Sequence, residues 1–262
     1  MFDQDIPDGA RHIERGIFVF NGGQTTRPAE RLPFTVRLIR NECDLAKAVA
    51  IRHQAYARHV PSFAEALRSA ESYDSESGVV VLLAASKVDG EPLGTMRIQT
   101  NRFRPLSVEQ SLPLPPDLAR RPLAEATRLG VTEQKVGRLV KTVLFKAFYQ
   151  YCLKNSIEAM VVTGRSPIDR QYERLMFEEV YPTMGFVALA HVGNLPHRVM
   201  SLNVRTAEAR WRAANHPLLN FIVGTHHQDI DIGPKRAPFR PPARDKVQIF
   251  PTVFTQVAVK NL

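Results

Sequence analysis

The sequence is poor in cysteine and has no long apolar run, and these two absences exclude whole classes of protein. Cys43 and Cys152 are the only cysteines, and they stand far apart. That spacing fits neither a disulfide framework nor a metal site. No run of about 18 apolar residues occurs, so we expect no membrane span. The first residues, MFDQDIPDGARHIERG, lack a signal-peptide pattern, which makes the cytoplasm the default location.

The chain also lacks any block of basic residues, although its formal net charge is +9. A positive field favours an acidic partner, such as nucleic acid, an anionic membrane surface, a phosphate-bearing cofactor or an acidic carrier protein. Because no five basic residues follow one another, we expect no nucleic-acid partner. A transient contact with a membrane surface stays open.

Hydrophobic periodicity predicts alternating strands and helices in one domain. The predicted strands cover 34–40, a hairpin at 78–101, 123–131, 157–164 and 181–193, with further short ones at 16–20 and 201–204. The predicted helices cover 41–59, with Asn41 as N-cap, then 132–155, 166–180 and 206–224. This order indicates a mixed α/β sheet with helices on both faces, preceded by an arm over 1–33 and followed by a Pro/Arg-rich tail over 225–262.

The strand LAEATRLGV carries Glu125 and Arg128 in an otherwise apolar setting. Charged residues on an interior strand are usually paired, exposed or functional, because an unpaired buried charge is costly. Residues three apart on a regular strand point to opposite faces, so a bulge between them is needed to bring both side chains to one site.

The segment VTEQKVGRL places a short loop between this strand and the longest predicted helix. Free backbone amides at a helix start suit a phosphate, and Gly137 would let the backbone approach it closely. A plain loop with a solvated basic first turn is the equally weighted alternative, since one glycine is a weak signal.

The order strand, QKVGRL turn, helix and strand resembles the acyl-donor loop of the GNAT acyltransferase superfamily. Gln134 and Gly137 match its pattern of Gln/Arg-x-x-Gly-x-Gly/Ala, whereas Leu139 replaces the last small residue. The later YPTMGF resembles the Tyr…Gly-Phe entry into that superfamily's last strand. The resemblance implies a GNAT-like fold and an acyl thioester as donor. The departure at Leu139 favours a donor with a single phosphate, such as the phosphopantetheine arm of acyl carrier protein, over coenzyme A.

A narrower resemblance is to the acyl-homoserine-lactone synthases and their relatives, the long-chain N-acyl amino acid synthases. Four short motifs carry it, in order along the chain: Arg52-x-x-x-Tyr56, Glu71-x-x-Asp74, Gly94-x-x-Arg97 and Glu125-x-Thr127-Arg128. Lactone synthases also have a tryptophan between the first helix and the acidic pair, but the single tryptophan here is Trp211. We therefore expect an N-acyl amino acid synthase rather than an enzyme that uses S-adenosylmethionine.

This resemblance implies catalytic roles for Glu125 and Arg128. In acyl transfer to an amine, Glu125 would take the amine's proton or hold the ammonium, and no nucleophilic side chain is needed. Backbone amides between Leu129 and Val131 would stabilise the oxyanion, and the donor would also contact Gln134, Gly137 and Arg138. We expect no tightly bound cofactor.

The remaining motif residues are candidates for binding the acceptor. Arg52, Asp74, Arg97 and Arg128 would form a charged network with Glu125, and an arginine would grip the acceptor's carboxylate. The alternative is that these charges pair with one another and hold the first helix and the next loop on the sheet. Tyr56 would line the pocket, although an aromatic residue at this spacing is more often core.

An acidic acyl carrier protein would explain the basic charge of the chain. Its docking face would consist of basic residues near the donor loop, and a scattered solvated surface is the alternative. These residues are Arg102, Arg104, Arg120, Arg121, Lys135, Arg138, Lys141 and Lys146. We expect no metal site in THHQDID, and a structural role for His191 and His197.

The sequence thus predicts an acyltransferase that moves a long-chain acyl group from a carrier-bound thioester to the α-amine of an amino acid. Two alternatives stay open. One is an acyl-homoserine-lactone synthase, and the other is a basic, non-catalytic module that binds membrane or nucleic acid.

Overall fold

The structure is a computed structural model that describes residues 28–233. The strand predicted at 16–20, most of the arm and most of the tail lie outside this range. The strands are β1 (Ala29–Glu30), β2 (Phe34–Leu38), β3 (Val79–Ser86), β4 (Pro92–Thr100), β5 (Leu123–Val131), β6 (Ala159–Gly164), β7 (Glu178–Glu179), β8 (Val187–Leu189), β9 (Leu195–Asn203), β10 (His226–His227) and β11 (Ile230–Asp231).

The α-helices are α1 (Glu42–Ala57), α2 (Pro61–Ala64), α3 (Pro116–Ala119), α4 (Gly137–Lys154), α5 (Asp169–Arg174) and α6 (Val204–Ala213). Short 3-10 turns cover Glu65–Leu67, Ser72–Ser75, Ser107–Gln110 and Ala190–Val192, and a π-helical turn covers Asn220–Gly224. The predicted N-cap of α1 is confirmed, because the Asn41 side chain accepts a hydrogen bond from the Asp44 amide. No helix within residues 28–233 is long and apolar enough to cross a membrane.

One large mixed sheet organises these elements. Its strand order is β11-β2-β3-β4-β5-β6-β9-β7, and β8 pairs with β9. The β5–β6 and β11–β2 pairs are parallel, whereas the other pairs in this sheet are antiparallel. The helix α4 supplies the crossover between the parallel strands β5 and β6, as such a connection requires.

Both faces of the sheet are covered, as predicted. Alternate residues of a strand point to opposite faces. Leu82 and Ala84 of β3 accordingly belong to the main core with α4, which contains the fully buried Phe148. Leu83, on the other face of β3, packs with Ala48 of α1. The fold class is therefore a mixed α/β sheet with helices on both faces.

Two predicted helices are too long, because a residue in the left-handed region follows two positions after the last residue of each helix. The helix predicted over 166–180 ends at Arg174, since Met176 has a φ of +66° and the chain then enters β7. The helix predicted over 206–224 ends at Ala213, since Asn215 has a φ of +47° and Pro217 follows. Much of the strand predicted over 181–193 is irregular, and β9 is the long strand of this region.

The first residues of the predicted tail are part of the fold. Strand β10 pairs with β1, and β11 pairs with β2, so the ordered chain continues past Thr225. Lys146 fastens this segment to α4. Its buried ammonium donates to the carbonyls of Phe221 and Thr225, both at 2.6 Å, and lies 2.7 Å from Nδ1 of His227. The prediction that Lys146 belongs to a docking face is therefore wrong.

Candidate active site

The predicted bulge in β5 is confirmed, and it re-aims Arg128. Thr127 pairs with Arg97 and Gly130 with Thr95, so two residues of β5 oppose the single Met96 of β4. Arg128 itself has a φ of +55°. On a regular strand it would share the α4 face with Ala124 and Ala126. The extra residue instead turns Arg128 to the α1 face of the sheet. On that face, the Thr127 hydroxyl accepts a hydrogen bond from Arg97 Nε at 3.0 Å.

A buried ionic network holds Arg128 on this face. Glu71 is at its centre, with Oε1 and Oε2 lying 2.6 Å and 2.7 Å from Nη2 and Nε of Arg128. Arg97 and Arg52 each reach Glu71 Oε2 at 3.1 Å. Arg52 also makes a bidentate pair with Asp74, with both distances at 2.9 Å. Burial raises the pKa of Glu71, but the hydrogen bond and charge of Arg128 and the other arginines overcome it and bring the pKa to about 2.

The central carboxylate of this network is Glu71, whereas the sequence predicted a network that included Glu125 and Asp74. Within the described residues, Glu125 accepts no hydrogen bond from Arg52, Arg97 or Arg128, and only the charges of Arg97 and Arg128 act on it by lowering its pKa. The three guanidinium groups are already engaged by Glu71, Asp74 and backbone or hydroxyl oxygens. These three arginines hold α1 and the 71–75 turn on the sheet. This is the structural alternative given for them in the sequence, in which the charges pair with one another.

Glu125 occupies a separate, fully buried position on the same face of β5. Its Oε2 accepts a hydrogen bond from the Val108 amide at 3.2 Å. Its Oε1 lies 3.7 Å from Nε2 of His191, in the turn between β8 and β9. Burial raises the pKa of Glu125 to about 7, despite opposing hydrogen bonds from backbone amides. A carboxyl group with this pKa exchanges protons at neutral pH, as a general base requires.

A cleft opens beside these residues because β5 and β6 separate. Their parallel pairing ends at Ala126 and Val162. Beyond that point a cavity of about 470 Å³ lies between the strand ends and the C-terminal end of α1. Four predicted site residues line it, namely Tyr56, Arg128, Leu129 and Val131. After Ala126, no strand of the described chain pairs with the β6-facing side of β5, so that backbone is open to a ligand in the cleft.

Further cationic side chains line the cleft, and they differ in whether they already make hydrogen bonds or ion pairs within the protein. Arg58 donates to the Val131 carbonyl at 2.6 Å and pairs with Glu133 at 3.0 Å. Lys141 is hydrogen bonded to Gln171. The guanidinium of Arg165, directly after β6, makes no hydrogen bond or ion pair within residues 28–233. Arg165 is thus the cation in this wall that has room for an anionic group of a substrate.

The predicted donor loop leads from β5 to the start of α4, outside the cleft lining. Gly137 is required by the loop itself, because a Cβ there would lie 2.2 Å from the Thr132 carbonyl oxygen. Its amide donates to the Gln134 carbonyl at 2.8 Å, which closes the turn. No side chain caps the helix start, while Gln134 and Arg138 are exposed beside it. The loop therefore presents uncapped helix amides and a cation to solvent.

The basic residues assigned to one docking face fall into two groups. Lys135 and Arg138 follow the end of β5, whereas Arg120 and Arg121 precede its start. A nine-residue strand spans about 27 Å, so these groups lie far apart. Only Lys135, Arg138 and Lys141 belong to the α4 end.

Sequence reasoning missed several residues of this site. Glu71 belongs to the Glu71-x-x-Asp74 motif, but the sequence indicates no separate role for it. His191 and His197 were assigned structural roles, yet both line the cleft. Arg165 carried a usable signal, because it directly follows the strand predicted over 157–164. The position of His191 depends on the turn between β8 and β9, which the sequence mispredicted.

Known structures with this fold include acyl-transferring synthases. FeeM, an N-acyl amino acid synthase from uncultured soil microbes, is 18% identical, with a TM-score of 0.54 over 72% of this chain and 96% of FeeM. BjaI, a CoA-dependent acyl-homoserine lactone synthase, solved with SAM and isopentyl-CoA, is 17% identical. Its TM-score is 0.50 over 74% of this chain and 93% of BjaI. The sequence matches no family model and no curated protein. The chain therefore has the fold of these two synthases, and the predicted GNAT-like fold is confirmed.

Proposed function

We propose that this protein transfers an acyl group from a thioester to the α-amine of an amino acid. The observation that carries the proposal is the cleft between the separated ends of β5 and β6, backed by a buried carboxyl group whose pKa is about 7. FeeM, which has the same fold, is an N-acyl amino acid synthase, and this supports the same reaction class here.

The residues around the cleft can meet the three demands of the reaction. The amine must lose a proton, for which Glu125 is the acceptor. The oxyanion of the tetrahedral intermediate needs hydrogen-bond donors, for which the open backbone of Leu129 to Val131 is placed. The acyl chain needs apolar surface, which residues such as Val60, Leu129 and Ile168 supply.

Arg165 supports an acceptor that carries a carboxylate. A guanidinium fork matches a carboxylate in geometry and charge, and the other arginines of the site are already paired. This assigns Arg165 the gripping role that the sequence gave to Arg52, Arg97 or Arg128.

Acyl carrier protein is the proposed donor carrier. Lys135 and Arg138 lie exposed beside the helix start, and the net charge of +9 suits an acidic carrier. BjaI uses a CoA donor, so acyl-CoA is the competing donor. Salt-sensitive turnover with acyl carrier protein, weakened by Lys135→Glu/Arg138→Glu and not by Arg102→Glu/Arg120→Glu, would support the carrier. Equal and salt-insensitive use of acyl-CoA would contradict it.

Lactone synthesis is less well supported. The tryptophan that the lactone synthases carry near the acidic pair has no counterpart here, because Trp211 is fully buried against Phe145 and Tyr149.

The test is mass spectrometry of lipids from cells that express the protein, compared with cells that express Glu125→Gln. New N-acyl amino acids found only with the intact protein would support the proposal and identify both substrates. New acyl-homoserine lactones would favour the lactone synthase. If no product forms and the purified protein cleaves no acyl thioester, the proposal is wrong and a non-catalytic binding role replaces it.

A further inference from the structure

Two buried groups at the wall of the cleft face each other without hydrogen bonds. Within the described residues, Oε1 of Glu125 and both ring nitrogens of His191 have no hydrogen-bond partner. The carboxyl oxygen and the ring Nε2 are 3.7 Å apart. Buried polar atoms in proteins are nearly always paired, so two unpaired groups that face each other at a site require an explanation.

The fold holds both groups in place through their neighbours. The Val108 amide fixes Oε2 of Glu125 and leaves Oε1 towards His191. The His191 carbonyl accepts a hydrogen bond from Nη1 of Arg128 at 2.9 Å, and the preceding Ala190 amide donates to the Ser111 hydroxyl at 2.7 Å. The unpaired atoms are therefore held by fixed backbone and are not the loose ends of a surface loop.

The order of the groups, from the cleft inward, is His191 and then Glu125. His191 is one of the residues that line the cavity, with both ring nitrogens buried, whereas Glu125 is fully buried and is not part of the lining. His191 therefore lies nearer to the cleft than Glu125 does.

The electrostatic surroundings keep the ring neutral. The ionisable groups facing the pair are Arg97 of β4, Arg128 of β5, Glu71 before the 72–75 turn and His197 of β9. Burial, followed by the charge of Arg128, lowers the pKa of His191 to about 3. A proton that reaches the ring is therefore unstable there, and Glu125 is the nearby group able to keep it at neutral pH.

We propose that His191 and Glu125 form a proton relay between the attacking amine and the buried carboxylate. As the amine nitrogen bonds to the thioester carbon, its N–H bond breaks and the proton passes to Nδ1 of His191. The Nε2–H bond breaks in the same event, and that proton passes to Oε1 of Glu125. When the C–S bond breaks, the proton returns along the same path to the thiolate, which leaves as the thiol. The ring ends in its starting tautomer.

This relay rests on the proposed acyl transfer and gives His191 a catalytic role. It requires the neutral tautomer that carries its proton on Nε2. When substrate fills the cleft, it also requires Nδ1, which is buried in this structure, to face the amine and the 3.7 Å gap to close to hydrogen-bond distance.

The test compares the pH dependence of acyl transfer in the wild type, His191→Gln and His226→Gln. The wild type should gain kcat/KM with an apparent pKa of about 7, the value of Glu125. His191→Gln keeps an amide nitrogen towards Glu125 but cannot relay a proton, so kcat should fall about 100-fold to 1,000-fold with little change in the donor KM. His226→Gln, which changes an exposed histidine of β10 outside the cleft lining, should keep the wild-type pH profile.

Two further measurements separate a relay from a structural role. Imidazole added to a folded His191→Ala variant should restore part of the lost rate, and rescue by imidazole is not expected of a residue that only supports the turn. Nitrogen NMR of the wild type should show His191 neutral and protonated on Nε2 between pH 5 and 8. A charged ring at pH 6, or the Nδ1–H tautomer, would overturn the relay even if the variants fail to fold.

Failure of the relay differs from failure of the proposed function. An active wild type with an equally active His191→Gln overturns the relay alone. A wild type that acylates no amine overturns both.

Discussion

Arg128 and Glu71, 57 residues apart in sequence, form a bidentate ion pair with N–O distances of 2.6 Å and 2.7 Å. The pair forms because the bulge in β5 turns Arg128 away from the α4 core. It joins the active-site strand to the segment that follows α2, and through Arg52 it reaches α1.

Glu71→Gln should destabilise the protein strongly. It removes the central negative charge and leaves three buried arginines facing one remaining carboxylate, Asp74. Breaking a buried pair in this way costs about 3 kcal/mol in the free energy of unfolding, measured by urea denaturation. Glu65→Gln is the matched control, because Glu65 also makes a bidentate pair with an arginine, Arg68, but on the exposed surface. Equal effects of the two substitutions would contradict the buried network.

Acidification should remove two stabilising contributions in overlapping pH ranges, whereas Glu125 acts in the opposite sense between pH 7 and 4.5, so each contribution is measured as the difference between wild type and variant. The ring of His191 has a pKa of about 3 in the fold against 6.5 in the unfolded chain, so its neutral form is favoured and stability is lost as pH falls below 6.5. Glu71 has a pKa of about 2 against 4.5, so its contribution is present above pH 4.5 and lost as pH falls towards 2. In a pH series of thermal unfolding, the Tm of His191→Gln should fall less than that of the wild type between pH 6.5 and 3. The variant should keep the further loss of Tm towards pH 2, which is due to Glu71. An equal fall in the Tm of both proteins between pH 6.5 and 3 would argue against a buried neutral ring.

Glu125→Gln should stabilise the protein above neutral pH while it abolishes acyl transfer. The pKa of Glu125 is raised from 4.5 to about 7, so the fold favours the protonated form and loses stability as pH rises through this window. A shift of this size corresponds to about 3 kcal/mol at pH 8, which a neutral amide avoids. The variant should therefore have a higher Tm than the wild type at pH 8 but the same Tm at pH 4. A lower Tm at both pH values would contradict the raised pKa.

Arg165→Gln should raise the KM for the acceptor by about 10-fold to 100-fold, because a charge-assisted contact with a carboxylate contributes about 1.5–3 kcal/mol. The KM for the acyl donor and the Tm should change little, since Arg165 makes no ion pair within the described chain. Arg170→Gln, which removes an exposed charge on α5 outside the cleft lining, is the control. A methyl ester of the acceptor, which lacks the carboxylate charge, should show a similarly raised KM with the wild type. If both variants give the same acceptor KM, Arg165 does not bind the carboxylate.

The sequence predicts most of the core elements because their signals are local. Asn41 begins a helix, VDGEP turns a hairpin, and the apolar residues of α4 repeat at helical spacing. It also predicts the bulge, because two functional side chains three residues apart cannot share a face of a regular strand. The ends of α5 and α6 were wrong because left-handed residues, Met176 and Asn215, stop helices that the apolar pattern would continue.

The ion-pair partners could not be predicted in the same way. Sequence places Glu125 and three arginines near one strand but cannot say which carboxylate the arginines choose. That choice depends on the turn at 71–75, which brings Glu71 over the sheet and leaves Glu125 to His191. The contact between Glu125 of β5 and His191 in the turn before β9 depends on how the later strands are placed in the sheet. No local sequence pattern contains that information.

The short strand β11 has a consequence for how molecules of this protein meet. It covers the outer side of β2, where the Val36 amide donates to the Asp229 carbonyl at 2.8 Å. Asp229 is itself held by Lys87 and the Leu32 amide, both at 2.8 Å. An uncovered strand of this kind is a template on which another chain can add a strand. Residues 229–231 therefore cover an edge to which another chain could add a strand, and a chain cut after Gly224 should expose β2 to aggregation.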